Sequence, residues 1–188
     1  MNEFLRRIKL IDDFSVELEV ERNVFVDRLM SIVDPGGTGT IFTSFEGFSS
    51  NRKEYKGKVG NDGFEIRRRK KLFDTNMNLA IAKGKWRQRE NHLIVETEVN
   101  SFNNFFILFI VILLGFYAFG VVALLLSNNG TDESNMGMAI GLPFLLVHAA
   151  FMLGIPYLVI RRSTNRMKYD LTREFHYLAA TKNSPQHL

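Results

Sequence analysis

The hydrophobic residues of this chain are concentrated in two long uninterrupted segments. Phe105–Leu126 contains no charged side chain over 22 positions, and Gly137–Ile160 contains none over 24. At a rise of about 1.5 Å per residue, helices of these lengths extend roughly 33 and 36 Å, whereas the hydrocarbon core of a bilayer is about 30 Å thick. The pattern therefore predicts a transmembrane hairpin over 104–160, with helices 105–126 and 137–160 and an outer connector 127–136.

Before these segments, apolar and polar residues alternate in short runs. Alternation with a period of two predicts a strand with one buried face; its apolar members are Phe14, Val16, Leu18 and Val20. A short helix follows, with Asn23 as its predicted N-cap and Asp34–Gly37 as its stop signal. Its apolar stripe consists of Phe25, Leu29 and Ile32.

Two hairpins follow this helix. Lys56–Val59 and Phe64–Arg68 flank Gly60-Asn61-Asp62-Gly63, a strong turn signal. Asn78–Trp86 and Asn91–Val99 flank a turn near Arg89. The predicted fold class is α+β: a small antiparallel-sheet domain over residues 1–103, with about five or six strands and one helix.

The segment after the second apolar stretch, 161–188, has helical periodicity. Its apolar residues recur at a spacing of three or four, which predicts an amphipathic helix with Ser163 as its N-cap. They are Met167, Leu171, Phe175 and Leu178. The polar tail after Thr181 is predicted to fray.

Charge predicts the orientation of the hairpin. The segments outside the hairpin hold all 24 basic residues and 18 of the 20 acidic ones, a net charge of +6. The connector holds Asp132 and Glu133 and no basic residue. Basic residues near a span stay on the cytoplasmic side, and the charged first ten residues do not resemble a secretory signal. Both termini are therefore predicted to be cytoplasmic, in a multi-pass membrane protein.

One ionisable residue lies inside the apolar segments. His148 is twelfth of the 24 residues in the second segment, on nearly the same face as the G-x-x-x-G pair Gly137 and Gly141. Small residues allow helices to approach closely, and polar groups at this depth usually face protein or water. Tyr117 lies at a similar depth in the first segment, so we expect a His148–Tyr117 hydrogen bond within or between subunits. Three roles are open for His148: packing against a neighbouring group, a proton or ligand role, or a position that faces lipid.

Two basic clusters are candidates for binding anionic lipid headgroups. The membrane-surface candidates beside the amphipathic stripe are Arg161, Arg162, Arg166 and Lys168. The run Arg67–Lys71 is denser, but alternate residues of a strand point to opposite faces, and Glu65 and Asp74 dilute its charge. A solvated edge is the alternative for this run, and nucleic acid is not an expected partner.

Evidence for catalysis is sparse. The four histidines have no metal-ligand spacing, and the glycines near Gly36 lack the Lys-Ser/Thr pair of a phosphate-binding loop. Asp12 and Asp13 open a strand with their carboxylates on opposite faces, which is unsuited to paired acid–base chemistry. The 188 residues include no cysteine, so disulfides and thiolate chemistry are excluded. We expect no cofactor, metal or catalytic residue.

Part of the sequence resembles a group of uncharacterised small bacterial membrane proteins. The similarity covers about residues 55–127 and rests on Gly57-Lys58-Val59, Phe64-Glu65-Ile66-Arg67, Asn76 and Gly84, with Met77 where that pattern has proline. In that group a short sheet leads into one or two transmembrane helices. The resemblance implies a bacterial inner membrane and a cytoplasmic sheet, and it implies no activity.

The sequence favours a membrane-anchored, non-enzymatic interaction module or accessory subunit. One alternative is a subunit of a small oligomeric channel or transporter that uses His148. Two helices enclose no pathway, so that alternative requires several copies, as a homo-oligomer or within a larger membrane complex. A membrane-tethered enzyme is the remaining alternative.

Overall fold

The computed structural model describes residues 2–39, 53–69, 79–102, 104–126 and 132–181. In chain order the elements are α1 (Asn2–Arg7), β1 (Ile11–Leu18), α2 (Arg22–Ile32), β2 (Val33–Pro35), β3 (Tyr55–Val59), β4 (Gly63–Arg68), β5 (Ile81–Arg89), β6 (His92–Asn100), α3 (Asn104–Leu126) and α4 (Asp132–Ala180). The fold is α+β, as predicted. Two compact units divide the chain: residues 1–102 with 160–188, and residues 103–159.

Within the described residues, six strands form one sheet in the order β1-β6-β5-β4-β3-β2. Both predicted hairpins are confirmed, because β3 pairs antiparallel with β4 and β5 with β6. The sheet is mixed, not purely antiparallel, since β2 runs parallel to β3. Strand β2 was not predicted, because three residues directly after a helix are too few to show an alternating pattern.

Helix α2 begins earlier than predicted. Its N-cap is Glu21, which makes no side-chain capping hydrogen bond, so the prediction of Asn23 as N-cap is wrong. The end of α2 matches the predicted stop signal, because the chain becomes extended at Val33. The Lys53 ammonium group donates to the Val33 carbonyl oxygen at 3.0 Å and to that of Met30 at 3.1 Å.

The core of the first unit lies between one face of the sheet, α2 and the last part of α4. Phe175 of α4 is fully buried and its ring packs against three aromatic rings, with centroid distances of 6.4 Å to Phe14, 5.6 Å to Phe25 and 5.7 Å to Phe64. Trp86 extends this cluster, with its ring 5.4 Å from Phe64. The predicted apolar stripe, Met167, Leu171, Phe175 and Leu178, is buried in this core.

The C-terminal amphipathic segment is present, but it is not a separate helix. Helix α4 runs without a break from Asp132 to Ala180, through Pro143 and Pro156. Ser163 is therefore not an N-cap. Its hydroxyl oxygen accepts hydrogen bonds from the backbone N–H groups of Leu79 (3.1 Å) and Ala80 (3.2 Å), just before β5.

Polar contacts attach the last part of α4 to the sheet domain. Lys168 forms an ion pair with Asp12 at 2.8 Å. The Arg28 guanidinium donates to the Leu178 carbonyl oxygen at 2.6 Å and thereby caps the C-terminus of α4. Residues 160–181 thus belong to the same compact unit as the sheet.

Candidate functional site

The second unit contains the hydrogen bond that the sequence suggests between α3 and α4. The Tyr117 hydroxyl oxygen lies 2.7 Å from Nδ1 of His148, and the two rings meet edge to face with centroids 5.9 Å apart. The Phe144 ring stacks on the imidazole at 6.2 Å. Both polar side chains are half-buried. The bond lies within one chain, so each side chain has a partner without a second subunit.

Small residues line the contact between α3 and α4. A Cβ atom placed on Gly141 would lie 3.1 Å from Cδ2 of Leu124, and one on Gly120 would lie 3.6 Å from Cδ1 of Leu145. Gly141 therefore lies on the packing face, where the sequence analysis placed it. Gly120 was missed because it lies outside the G-x-x-x-G pattern. Gly137 lies in α4, and its surroundings are outside the described part of the structure.

Away from this contact, both helices expose large apolar side chains. In each helix only 6% of the most apolar 18-residue stretch is buried. These stretches lie within Phe106–Leu126 and within Ala139–Ala180. Phe119 is 73% exposed on α3, and Phe144 is 67% exposed on α4. A buried core helix of a soluble domain would hide such residues. The two helices are therefore long and apolar enough to span a membrane.

The structure separates the basic residues that the sequence groups together. Arg162 is exposed, whereas Lys168 pairs with Asp12, and Nε of Arg166 lies 3.9 Å from the carboxylate of Asp170. Arg161 is half-buried. The amphipathic stripe beside these residues is buried against the sheet, so it does not form a surface together with them.

The basic run Arg67–Lys71 follows the predicted alternation as far as it is described. Arg67 is 2% exposed, and Arg69 forms an ion pair with Asp34 at 3.3 Å. Arg68 points to the face that packs on α4. Lys70 and Lys71 lie outside the described residues, as does Asn76. The described part of the run therefore presents no continuous basic patch.

Arg68 is the centre of a cluster of charged groups between β3, β4 and α4. Its guanidinium lies 2.6 Å from the carboxylates of both Glu54 and Asp170. Desolvation raises the pKa of the Glu174 carboxyl, and the negative charges of Glu54 and Asp170 raise it further. Burial also raises the pKa of the Tyr55 hydroxyl above its ordinary value. The cluster is a structural connection between the sheet and the helix, in which the carboxylates of Glu54 and Asp170 are paired with Arg68.

A groove on the opposite face of the sheet is lined by five further carboxylates. It crosses β1, β6, β5 and β4, and its acidic lining residues are Asp13, Asp62, Glu65, Glu96 and Glu98. Arg6 pairs with Asp13 and, at 2.6 Å, with Glu98, while Lys83 lies 3.2 Å from Glu65. Ion pairs therefore engage three of the five carboxylates, those of Asp13, Glu65 and Glu98. In the described part of the chain, no group of three or more His, Asp or Glu side chains is placed to hold a metal ion.

Comparisons with protein families, with curated proteins and with solved structures find no match to this chain. The class of molecule is therefore defined by its own geometry: an α+β domain joined to two helices that are long and apolar enough to cross a bilayer.

Proposed function

We propose that the chain is a two-pass membrane protein and that its sheet domain is a non-catalytic interaction module on the cytoplasmic side of the inner membrane. The supporting observation is the exposure of the apolar side chains on α3 and the first part of α4, as for Phe119 at 73%. In water each such side chain costs about 1.5–3 kcal/mol relative to burial. In lipid that cost is absent.

The direction of insertion follows from the charges. The sequence between the two apolar segments includes no Lys or Arg, whereas Arg161 and Arg162 directly follow the second one. We propose that the connector crosses to the outer side and that both termini remain cytoplasmic, in keeping with the preference of basic residues for that side.

Cysteine labelling tests this topology, because the chain has no cysteine of its own. Asp132→Cys introduces a single thiol at the start of α4, and Asn91→Cys introduces one in the β5–β6 turn. In intact cells a membrane-impermeant maleimide should label the thiol at position 132 and not the one at position 91, and both should react after lysis. Labelling at position 132 only after lysis would overturn the proposed topology, and extraction of the protein by alkaline carbonate would overturn membrane insertion.

In the channel or transporter alternative, His148 would face the same residue of other copies of the chain in an oligomer. The 2.7 Å contact with Tyr117 within one chain favours a packing role instead. Native mass measurement in nanodiscs separates the two proposals: a strict monomer excludes a pore, while a defined oligomer that conducts ions only with His148 intact would replace the interaction-module proposal.

A further inference from the structure

Helix α1 presents an aromatic side chain outward beside basic residues. Leu5 is 6% exposed and packs into the domain, whereas Phe4 is 63% exposed. The helix ends in a Schellman-type turn: the N–H of Leu10 bonds the Leu5 carbonyl oxygen at 2.9 Å, and Lys9 adopts φ 57°. This turn holds α1 in a defined position relative to β1.

The same turn is bonded to residues that flank the two apolar segments, Ser101 before the first and Thr164 after the second. The Leu10 carbonyl oxygen accepts a hydrogen bond from the Ser101 N–H at 3.3 Å and lies 3.3 Å from the Thr164 hydroxyl oxygen. Ser101 and Thr164 are also bonded to each other, with their hydroxyl oxygens 2.8 Å apart, and both are buried. These three residues form what we call the Leu10 junction.

The Leu10 junction is close to the apolar segments along the chain. Ser101 precedes Asn104, the first residue of α3, by three positions, a reach of at most roughly 10 Å. Thr164 follows Ile160, the last residue of the second apolar segment, by one helical turn, roughly 6 Å. Covalent geometry therefore keeps the end of α1 near the boundary at which both segments would enter a bilayer.

The charges around this boundary suit an anionic surface. Arg7, Lys9 and Arg162 are exposed. Arg6 is engaged by Asp13 and Glu98. The acidic residue within α1 is Glu3, in its first turn. A basic segment with an exposed aromatic side chain is typical of elements that lie in the bilayer interface.

We propose that α1 is an interfacial anchor, in which Phe4 enters the headgroup region of the bilayer while Arg7 and Lys9 bind anionic lipid headgroups. This inference rests on the proposed membrane insertion of α3 and α4. Helix α1 would then be a third attachment to the bilayer, in addition to the two membrane-spanning segments. The strength of this attachment would depend on the charge of the lipid. The partner is the phosphate of an anionic phospholipid in a bilayer, not a soluble anion.

A fluorescent probe at position 4 tests the proposal. Phe4→Cys, labelled with an environment-sensitive nitrobenzoxadiazole, is reconstituted as the full chain in nanodiscs of phosphatidylcholine, with or without phosphatidylglycerol. The matched control is the same label at Asn91→Cys, at the far end of β6 from the Leu10 junction, roughly 30 Å away by strand geometry. We expect a blue-shifted emission at position 4 that increases with phosphatidylglycerol, and a water-like emission at position 91 in both lipids.

Charge reversal identifies the source of the lipid dependence. Arg7→Glu with Lys9→Glu should abolish the response to phosphatidylglycerol at position 4, while the emission of Trp86 confirms that the domain remains folded. Free inorganic phosphate should not reproduce the blue shift in phosphatidylcholine nanodiscs. A blue shift produced by phosphate alone would assign the site to a soluble anion and overturn the proposal.

The two proposals fail separately. Water-like emission at position 4 in both lipids, together with labelling of the position-132 thiol from outside intact cells, would overturn the interfacial anchor and leave the two-pass topology intact. Protection of the position-132 thiol until lysis would overturn the topology itself.

Discussion

The two parts of α4 have different surroundings although they belong to one helix. From Ile140 to Leu158 nearly all of its large apolar side chains are exposed, with Phe144 at 67%. From Met167 to Leu178 its Met, Leu and Phe side chains form one buried stripe, in which Phe175 is fully buried. The first part is apolar on every face and suits lipid, whereas the second is amphipathic and needs a protein partner on one face.

The two parts of α4 also make different kinds of contact with the rest of the chain. The second part is held by an aromatic cluster and by ion pairs, Lys168 with Asp12 and Arg68 with Asp170. The first part contacts α3 through Gly141 and through the His148–Tyr117 hydrogen bond. Burial of apolar area stabilises the domain, while close packing and one polar contact stabilise the helix pair.

Removing Phe175 should have the largest effect. Phe175→Ala deletes the ring that packs against Phe14, Phe25 and Phe64 and should lower the free energy of unfolding of the domain by about 3–5 kcal/mol. Urea unfolding in detergent micelles, followed by Trp86 fluorescence, measures this loss. The matched control is Phe151→Ala, which removes a ring that is 59% exposed in the other part of α4. Equal losses for the two variants would contradict the distinction between the two parts.

Removing Arg68 should have the next largest effect. Arg68→Met leaves the carboxylates of Glu54 and Asp170 without their shared cation in a partly buried site. Because the Arg68 side chain is still 19% exposed, we expect the free energy of unfolding to fall by about 2–3 kcal/mol, which is less than for a fully buried ion pair. The same urea titration measures it. Lys58→Met, at an exposed position of β3, should change the midpoint little, and a comparable loss there would reject the special role of Arg68.

The hydrogen bond between α3 and α4 should contribute less. Tyr117→Phe and His148→Phe should each lower the stability of the helix pair by about 1 kcal/mol. The double variant should lower it by less than the sum of the two single effects, because both changes remove the same hydrogen bond. Helicity during SDS titration in mixed micelles measures the stability of the helix pair. Unchanged stability in His148→Phe would show that this bond contributes nothing to packing.

The smallest effect should come from Glu174. Its raised pKa means that the native state binds the proton more tightly than the unfolded chain does, so stability is lost as the pH rises from the ordinary glutamate value of 4.5 through the native pKa. Glu174→Gln should therefore raise the urea midpoint at neutral pH, and the gain should shrink toward pH 4.5. Glu90→Gln, in an exposed turn, is the control. A gain that grows toward acid pH would contradict the assigned shift.

Several elements were predictable because their signals are local. The turn Gly60–Gly63 places β3 and β4 correctly, and uninterrupted apolar composition predicts the long helices. Glu90 at φ 51° closes the second hairpin where the turn was predicted. The β2 strand, the continuous α4 and the hydrogen bonds of Ser163 were not predictable, because each depends on a partner far away in the sequence.

The class of each segment can be read from local sequence, since apolar periodicity and charge are properties of neighbouring residues. The sequence also indicated the His148–Tyr117 pair, because depth in two apolar helices can be counted. The folded chain is needed to show what covers the Met167–Leu178 stripe, which carboxylates pair with Arg68, and that Leu10 contacts Ser101 and Thr164. The contact between Leu10 and Thr164 alone links residues 154 positions apart, and no local pattern specifies which distant side chains meet.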